Sequence, residues 1–148
     1  MRPNFQTMLS ACAVYALIGC AEPAFVAEDY LYLEDRYAVT IRRDIRGVPH
    51  VLGETNADAA FGFAYAQAED NWQLIEEAMP FYRGNNGLFV GQDGAVTDFL
   101  VHWLGIWETL DANYEWDLSP DMRVYIEAYA DGLNFYAATH PEAVDERV

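Results

Sequence analysis

At 148 residues the chain has the length of one domain, and a content of 53% hydrophobic and 15% aromatic residues excludes a disordered polypeptide and calls for a packed core. Against 24 acidic side chains stand 8 basic ones, all arginine, and the formal charge of −16 argues against nucleic acid and anionic lipid headgroups as partners. The simplest reading of the acidity is a solubilising or salt-adapted surface rather than a cation-binding one.

Residues 1–19 read as an export signal. Arg2 and the terminal amine give a short positive region, and Met8 to Gly19 form an apolar run interrupted only by Ser10. That run is too short for an ordinary membrane-spanning helix. Leu17-Ile18-Gly19-Cys20 has the form of a bacterial lipobox, in which small residues admit the peptidase and the Cys20 thiol accepts the lipid. A plain signal peptide cut after Ala21 is the alternative. The lipobox reading predicts an exported protein, at the outer membrane or in the periplasm. Residues 20–36 then form an acidic, partly disordered tether. Cys12 and Cys20 both lie in this N-terminal stretch, so the body has no disulfide framework.

Tyr37 to Arg42 alternates in polarity and predicts a half-buried strand. Asp44 to Pro49 carries turn residues, and His50 to Gly53 completes a hairpin. Thr55-Asn56-Ala57-Asp58 is a capping-box start. The helix after it has an apolar stripe of Phe61, Tyr65, Ala68, Trp72, Ile75 and Met79, with Glu69, Asp70, Gln73, Glu76 and Glu77 off that stripe. Gly62 is a candidate break, and Pro80 should end or kink the helix. Four glycines between Arg83 and Gly94 predict a loop, with room for a short strand at Leu88 to Val90. Thr97 is expected to cap a helix running to Leu110, which would place Trp103 and Trp107 on one face. Core packing is the simpler reading of that pair, a ligand platform the alternative. Ser119-Pro120-Asp121 predicts a further helix start. That helix has the stripe Met122, Ile126, Tyr129, Leu133 and Tyr136, and it ends at His140 and Pro141.

The residues alone supply little chemistry. His50, His102 and His140 are far apart and match no zinc spacing. Ser119, the one serine outside the signal, reads as a helix cap rather than a nucleophile. The pairs Glu69-Asp70 and Glu76-Glu77 read as a solvated helix face rather than acid–base carboxylates. On this evidence a non-catalytic exported lipoprotein, acting as a binding or interaction module, stays open beside an enzyme fragment.

Three blocks in order carry a resemblance to the penicillin acylase family. Val39-Thr40-Ile41-Arg42-Arg43-Asp44-Ile45-Arg46-Gly47-Val48-Pro49-His50 resembles the strand that opens that family's mature α chain. Asp58 to Asp70 resembles its Ala-Gln-containing helix, and Leu118-Ser119-Pro120-Asp121 followed by Tyr129-Ala130-Asp131-Gly132-Leu133-Asn134 resembles a third block. The blocks cover about Tyr37 to Pro141. Many family members carry Asp-Arg where this chain has Asp70-Asn71. That pair, with Arg83-Gly84 after it, is more similar to the branch acting on acyl-homoserine lactones and lipopeptides.

The resemblance implies an α+β fold: the α-chain part of an N-terminal-nucleophile hydrolase, an αββα sandwich, here mostly helical with a short N-terminal hairpin. Residues 37–148 would be a partial acylase α-chain domain. The implied function is hydrolysis of an acyl amide such as a β-lactam, an acyl-homoserine lactone or a lipopeptide. The implied nucleophile is a serine at the start of a β chain, with its own α-amine as base. No residue of this chain takes a catalytic role, and the family calcium site lies mainly outside it, so neither a cofactor nor a metal ligand is assigned here. The implied partners are the rest of the precursor and a small acyl-amide substrate. Gly132, costly within a helix, implies close approach of another segment, for which the missing β chain is a candidate.

Overall fold

The computed structural model describes residues 25–145. It contains one antiparallel hairpin, β1 (Val39–Arg43) and β2 (Pro49–Gly53), and six helices: α1 (Leu33–Arg36), α2 (Asn56–Arg83), α3 (Gly87–Val90), α4 (Gln92–Trp103), α5 (Ile106–Asp117) and α6 (Pro120–Thr139). Cys20 and the expected export signal of residues 1–19 lie outside the described residues.

Turn chemistry sets the hairpin. The Asp44 side chain accepts the backbone N–H of Arg46 at 2.8 Å and of Val48 at 3.0 Å, and Gly47 supplies the positive φ of 82° that the turn needs. Val39 pairs with Gly53 and Ile41 with Val51, which turns these residues toward α2 and leaves Thr40, Arg42, His50 and Leu52 exposed. The strand begins at Val39, two residues later than the alternation suggested, because the N–H of Ala38 is bound by the Asp58 carboxylate.

Helix α2 starts as expected. Thr55 caps it, and the Asp58 side chain reaches back to the Thr55 N–H. Gly62 is not a break. It is buried because Val39 and Val51 pack over it, leaving no room for a Cβ. The non-helical backbone falls instead at Asn71 (φ −148°, ψ 36°). Pro80 does not end α2, which continues to Arg83 and stops at Gly84 in the left-handed region (φ 75°).

Helix α6 lies along α2 in the most extensive contact of the fold. Its start is the expected one: the Ser119 Oγ accepts the Met122 N–H at 3.2 Å, with Pro120 in the first turn. Ala68, Trp72, Tyr136 and Ala137 form one buried cluster between the two helices, flanked by Tyr65, Ile75 and Leu133. Leu33, Phe61 and Ala128 form a second, where the Tyr37 ring stacks on Phe61 at 4.4 Å.

Several expectations are corrected. The stretch Ala27–Arg36 is not a free tether: a 3₁₀ turn and α1 pack on α6, and Leu33 is fully buried. Leu88 to Val90 is a helical turn rather than a strand, since the Asp98 carboxylate holds the N–H groups of Asn86 and Gly87 at its start. Thr97 caps nothing. Its helix begins five residues earlier and ends at Trp103, where Gly105 (φ 60°) turns the chain into α5. Trp103 and Trp107 therefore sit on different helices. Neither is in the core, with exposures of 69% and 41%. Met122 and Ile126, expected on the buried stripe of α6, are also exposed. Glu76 is not on a solvated face. It is buried, and its Oε1 accepts the Asp145 N–H at 2.7 Å.

Gly132 gives the most informative correction. The segment that approaches it is α2 of the same chain, not an absent partner. A Cβ at this position would meet the Phe61 carbonyl oxygen and lie 2.8 Å from the Ala64 Cβ. The glycine is there so that two helix backbones can touch.

Candidate functional site

The polar residues of the three sequence blocks converge on one another. Asp58, from the second block, accepts hydrogen bonds from the Ala38 N–H (2.9 Å), the Thr55 N–H (2.7 Å) and the Thr55 hydroxyl (2.7 Å). The Thr55 hydroxyl bond, then the two backbone donors, hold this carboxyl below its usual range against the opposing effect of burial. Gln67 Oε1 accepts the Tyr129 hydroxyl at 2.6 Å, joining the second block to the third. Asp131 Oδ2 accepts the Tyr37 hydroxyl at 2.6 Å and pairs with Arg36 at 3.1 Å, joining the third block to the residues just before the first. Burial, then the bond to Asp131, raises the Tyr37 phenol well above its ordinary value.

The hairpin is tied down by Arg43. Its guanidinium reaches Glu69 and Asp70, each at 2.9 Å, and the Gly47 carbonyl at 2.9 Å. The two carboxylates are thus counter-ions for Arg43, a role that the reading of them as a solvated face missed. The Arg-Asp pair in the first block and the Glu-Asp pair closing the second were the available signal. His50 is exposed with its Nε2 3.8 Å from Asp44, so it belongs to the turn. Ser119 caps α6, the role the sequence suggested for it. Among the described residues no group of three His, Cys, Asp or Glu side chains converges as metal ligands.

These contacts brace the hairpin, α2 and α6 against one another. Replacing Tyr129 by Phe removes one part-buried bond, and the expected loss is about 1 kcal/mol, read as a lower urea midpoint at unchanged slope.

One concavity stands apart from the brace, at the C-terminal end of α2. It has a volume of about 560 Å³ and is lined by Arg83, Gly84, Asn85, His102, Trp107 and Asp111. His102 Nε2 lies 3.0 Å from the Gly84 carbonyl oxygen, and the Trp107 indole N–H donates to the Tyr82 carbonyl at 3.0 Å. The Asn85 Oδ1 is buried and has no hydrogen-bond partner among the described residues. Exposed Tyr82, Phe99, Trp103 and Trp116 lie on the helices that build this end of the molecule, and exposed Leu104 follows α4.

Comparison with known proteins matches this architecture. A family model described as penicillin amidase covers residues 38–145. The acyl-homoserine lactone acylase PvdQ of Pseudomonas fluorescens (strain Pf0-1) is 30% identical over 107 residues, covering 66% of this chain and 14% of that protein. The penicillin acylase 2 proenzyme of Pseudomonas sp. (strain SE83) is 27% identical over 101 residues, 68% of this chain and 13% of that protein. The solved thermostable penicillin G acylase from Alcaligenes faecalis superposes with a TM-score of 0.57 at 27% identity, over 75% of this chain and 60% of that one. The fold, helices braced on a two-stranded hairpin, is that of the α-chain part of an N-terminal-nucleophile hydrolase. The chain belongs to the penicillin amidase family.

Proposed function

We propose that this chain is the N-terminal segment of an exported acylase that releases an acyl chain from an amide. The observation that carries the proposal is the family match over residues 38–145, whose relatives are acylases and are several-fold longer than this chain. In this reading the catalytic serine lies on a β chain made from the same precursor, and its free α-amine acts as general base. The segment described here supplies the scaffold. Its internal hydrogen bonds support this division of labour, since Arg43 binds Glu69 and Asp70, and Tyr129 binds Gln67, across the three blocks. The Asp70-Asn71 pair and the similarity to an acyl-homoserine lactone acylase favour a long-chain acyl amide over a β-lactam.

The test is an assay of the full-length protein against a series of N-acyl-homoserine lactones, a lipopeptide and penicillin G, with the free acid and amine quantified by mass spectrometry. Release from the long-chain acyl amides is expected, with less from the β-lactam. No release from any of them would remove the proposal.

Localisation follows from Leu17-Ile18-Gly19-Cys20. We place the mature protein on a membrane through a lipid at Cys20. Cys20→Ala should abolish incorporation of a fatty-acid probe, and unchanged labelling would leave the plain signal peptide as the export route.

A further inference from the structure

We infer that the N-terminal strap, residues 25–36, seats the protein on a zwitterionic phospholipid surface through the exposed side chains of Phe25, Val26, Leu31 and Tyr32, an inference that rests on the lipid at Cys20 proposed above.

The strap is held firmly to the body. Leu33 is fully buried in the cluster with Phe61 and Ala128, and Tyr30 packs on the same cluster. Arg36 pairs with Asp131 at 3.1 Å, and its guanidinium lies 5.2 Å from the centre of the Tyr37 ring. The outer side of the strap is left to solvent. Phe25 is 40%, Val26 46%, Leu31 47% and Tyr32 58% exposed. These side chains adjoin, because the Phe25 ring stacks on Tyr30 at 5.0 Å and Tyr30 leads directly into Leu31 and Tyr32. Aliphatic and aromatic side chains beside a phenol suit the boundary between headgroups and acyl chains, where one end is apolar and the other wet.

Chain length selects the occupant. Cys20 stands five positions before Phe25, and five extended residues span at most about 18 Å. Helix α2, with 28 residues, runs for about 42 Å at 1.5 Å per residue. A lipid at Cys20 therefore keeps the strap beside the bilayer, whereas α3, at the far end of α2, is under no such constraint. So short a tether also presents the four side chains at an effective concentration of about millimolar, and a patch too small to bind a membrane on its own docks once the lipid is inserted. Charge selects the lipid. Glu28, Asp29, Glu34 and Asp35 are exposed among the apolar four. Anionic headgroups repel them, while the ammonium groups of phosphatidylethanolamine and phosphatidylcholine do not. A second copy of this chain fits less well, since each copy brings a formal charge of −16 to the contact.

The experiment uses the full-length lipidated protein with Tyr32 replaced by p-benzoylphenylalanine, reconstituted in vesicles of phosphatidylethanolamine and phosphatidylcholine and irradiated. Mass spectrometry should find phospholipid joined to position 32 at a yield about tenfold above that for the same replacement at Leu88, an 83% exposed residue of α3. Equal yields at the two positions, or cross-links from position 32 to protein alone, would overturn the inference. Replacing half of the phosphatidylethanolamine by phosphatidylglycerol should lower the yield about threefold, and a rise would overturn the choice of lipid. Fatty-acid analysis of Cys20 on the same preparations separates the two readings. A lipidated protein without phospholipid cross-links at position 32 defeats the docking alone, and a protein without fatty acid at Cys20 defeats the lipid anchor and the docking together.

Discussion

Gly132→Ala is expected to destabilise the protein by about 1–3 kcal/mol, although alanine is the better helix former. Two effects oppose each other. Alanine in place of glycine within a helix gains about 1 kcal/mol of propensity. The added methyl, however, has nowhere to go: it would meet the Phe61 carbonyl oxygen and lie 2.8 Å from Ala64 Cβ and 3.2 Å from the Phe61 carbonyl carbon. A flexible side chain could swing away, but a helix backbone cannot, so α2 and α6 must separate along their whole shared face. That separation loosens both buried clusters, because Tyr136 and Ala128 come from α6 and Trp72 and Phe61 from α2. The measurement is the melting temperature of the variant. The expected fall is about 5–15 °C, taking about 5 °C per kcal/mol for a domain of this size. A melting temperature equal to or above wild type would show that the helices are not in backbone contact at Gly132.

Asp58→Ala is expected to cost about 2–4 kcal/mol, because one carboxylate serves three donors. Its loss removes the capping box and strands the N–H groups of Ala38 and Thr55, so β1 and the start of α2 lose their joint anchor. The effect also has a pH signature. The folded pKa of this carboxyl lies below the ordinary value of 3.8. Its contribution is therefore complete above that value and is lost as the pH falls through the lower folded pKa. Wild-type stability should drop on that acid limb, and Asp58→Asn, which cannot titrate, should show a shallower one. Urea midpoints at pH 7 and pH 3 measure both, and identical acid slopes for wild type and Asp58→Asn would contradict the assignment.

These residues show where the sequence could be read and where it could not. Thr55, Asp58, Ser119 and Pro120 were legible because a cap is a local device: donor and acceptor lie within four residues. The hairpin was legible for the same reason, through Asp44 and Gly47. What failed was non-local. Whether Trp103 and Trp107 share a helix depends on Gly105, a single left-handed residue inside an otherwise continuous helical pattern. Glu76 looked solvated until the backbone of Asp145, 69 residues on, came to rest on it. Gly132 was correctly singled out as a point of close approach, but sequence does not say which segment approaches. The Glu69-Asp70 pair reads as a solvated face in the sequence, and in the fold both carboxylates bind Arg43.

The division between scaffold and chemistry is open to direct test. The full-length protein is incubated with a slowly hydrolysed long-chain acyl amide, quenched in acid and digested, and the acylated peptide is located by mass spectrometry. The account predicts an acyl ester on a serine at a new chain start outside residues 1–148. An acyl group on Ser119, or on any other residue of the 148 described by this sequence, would contradict it.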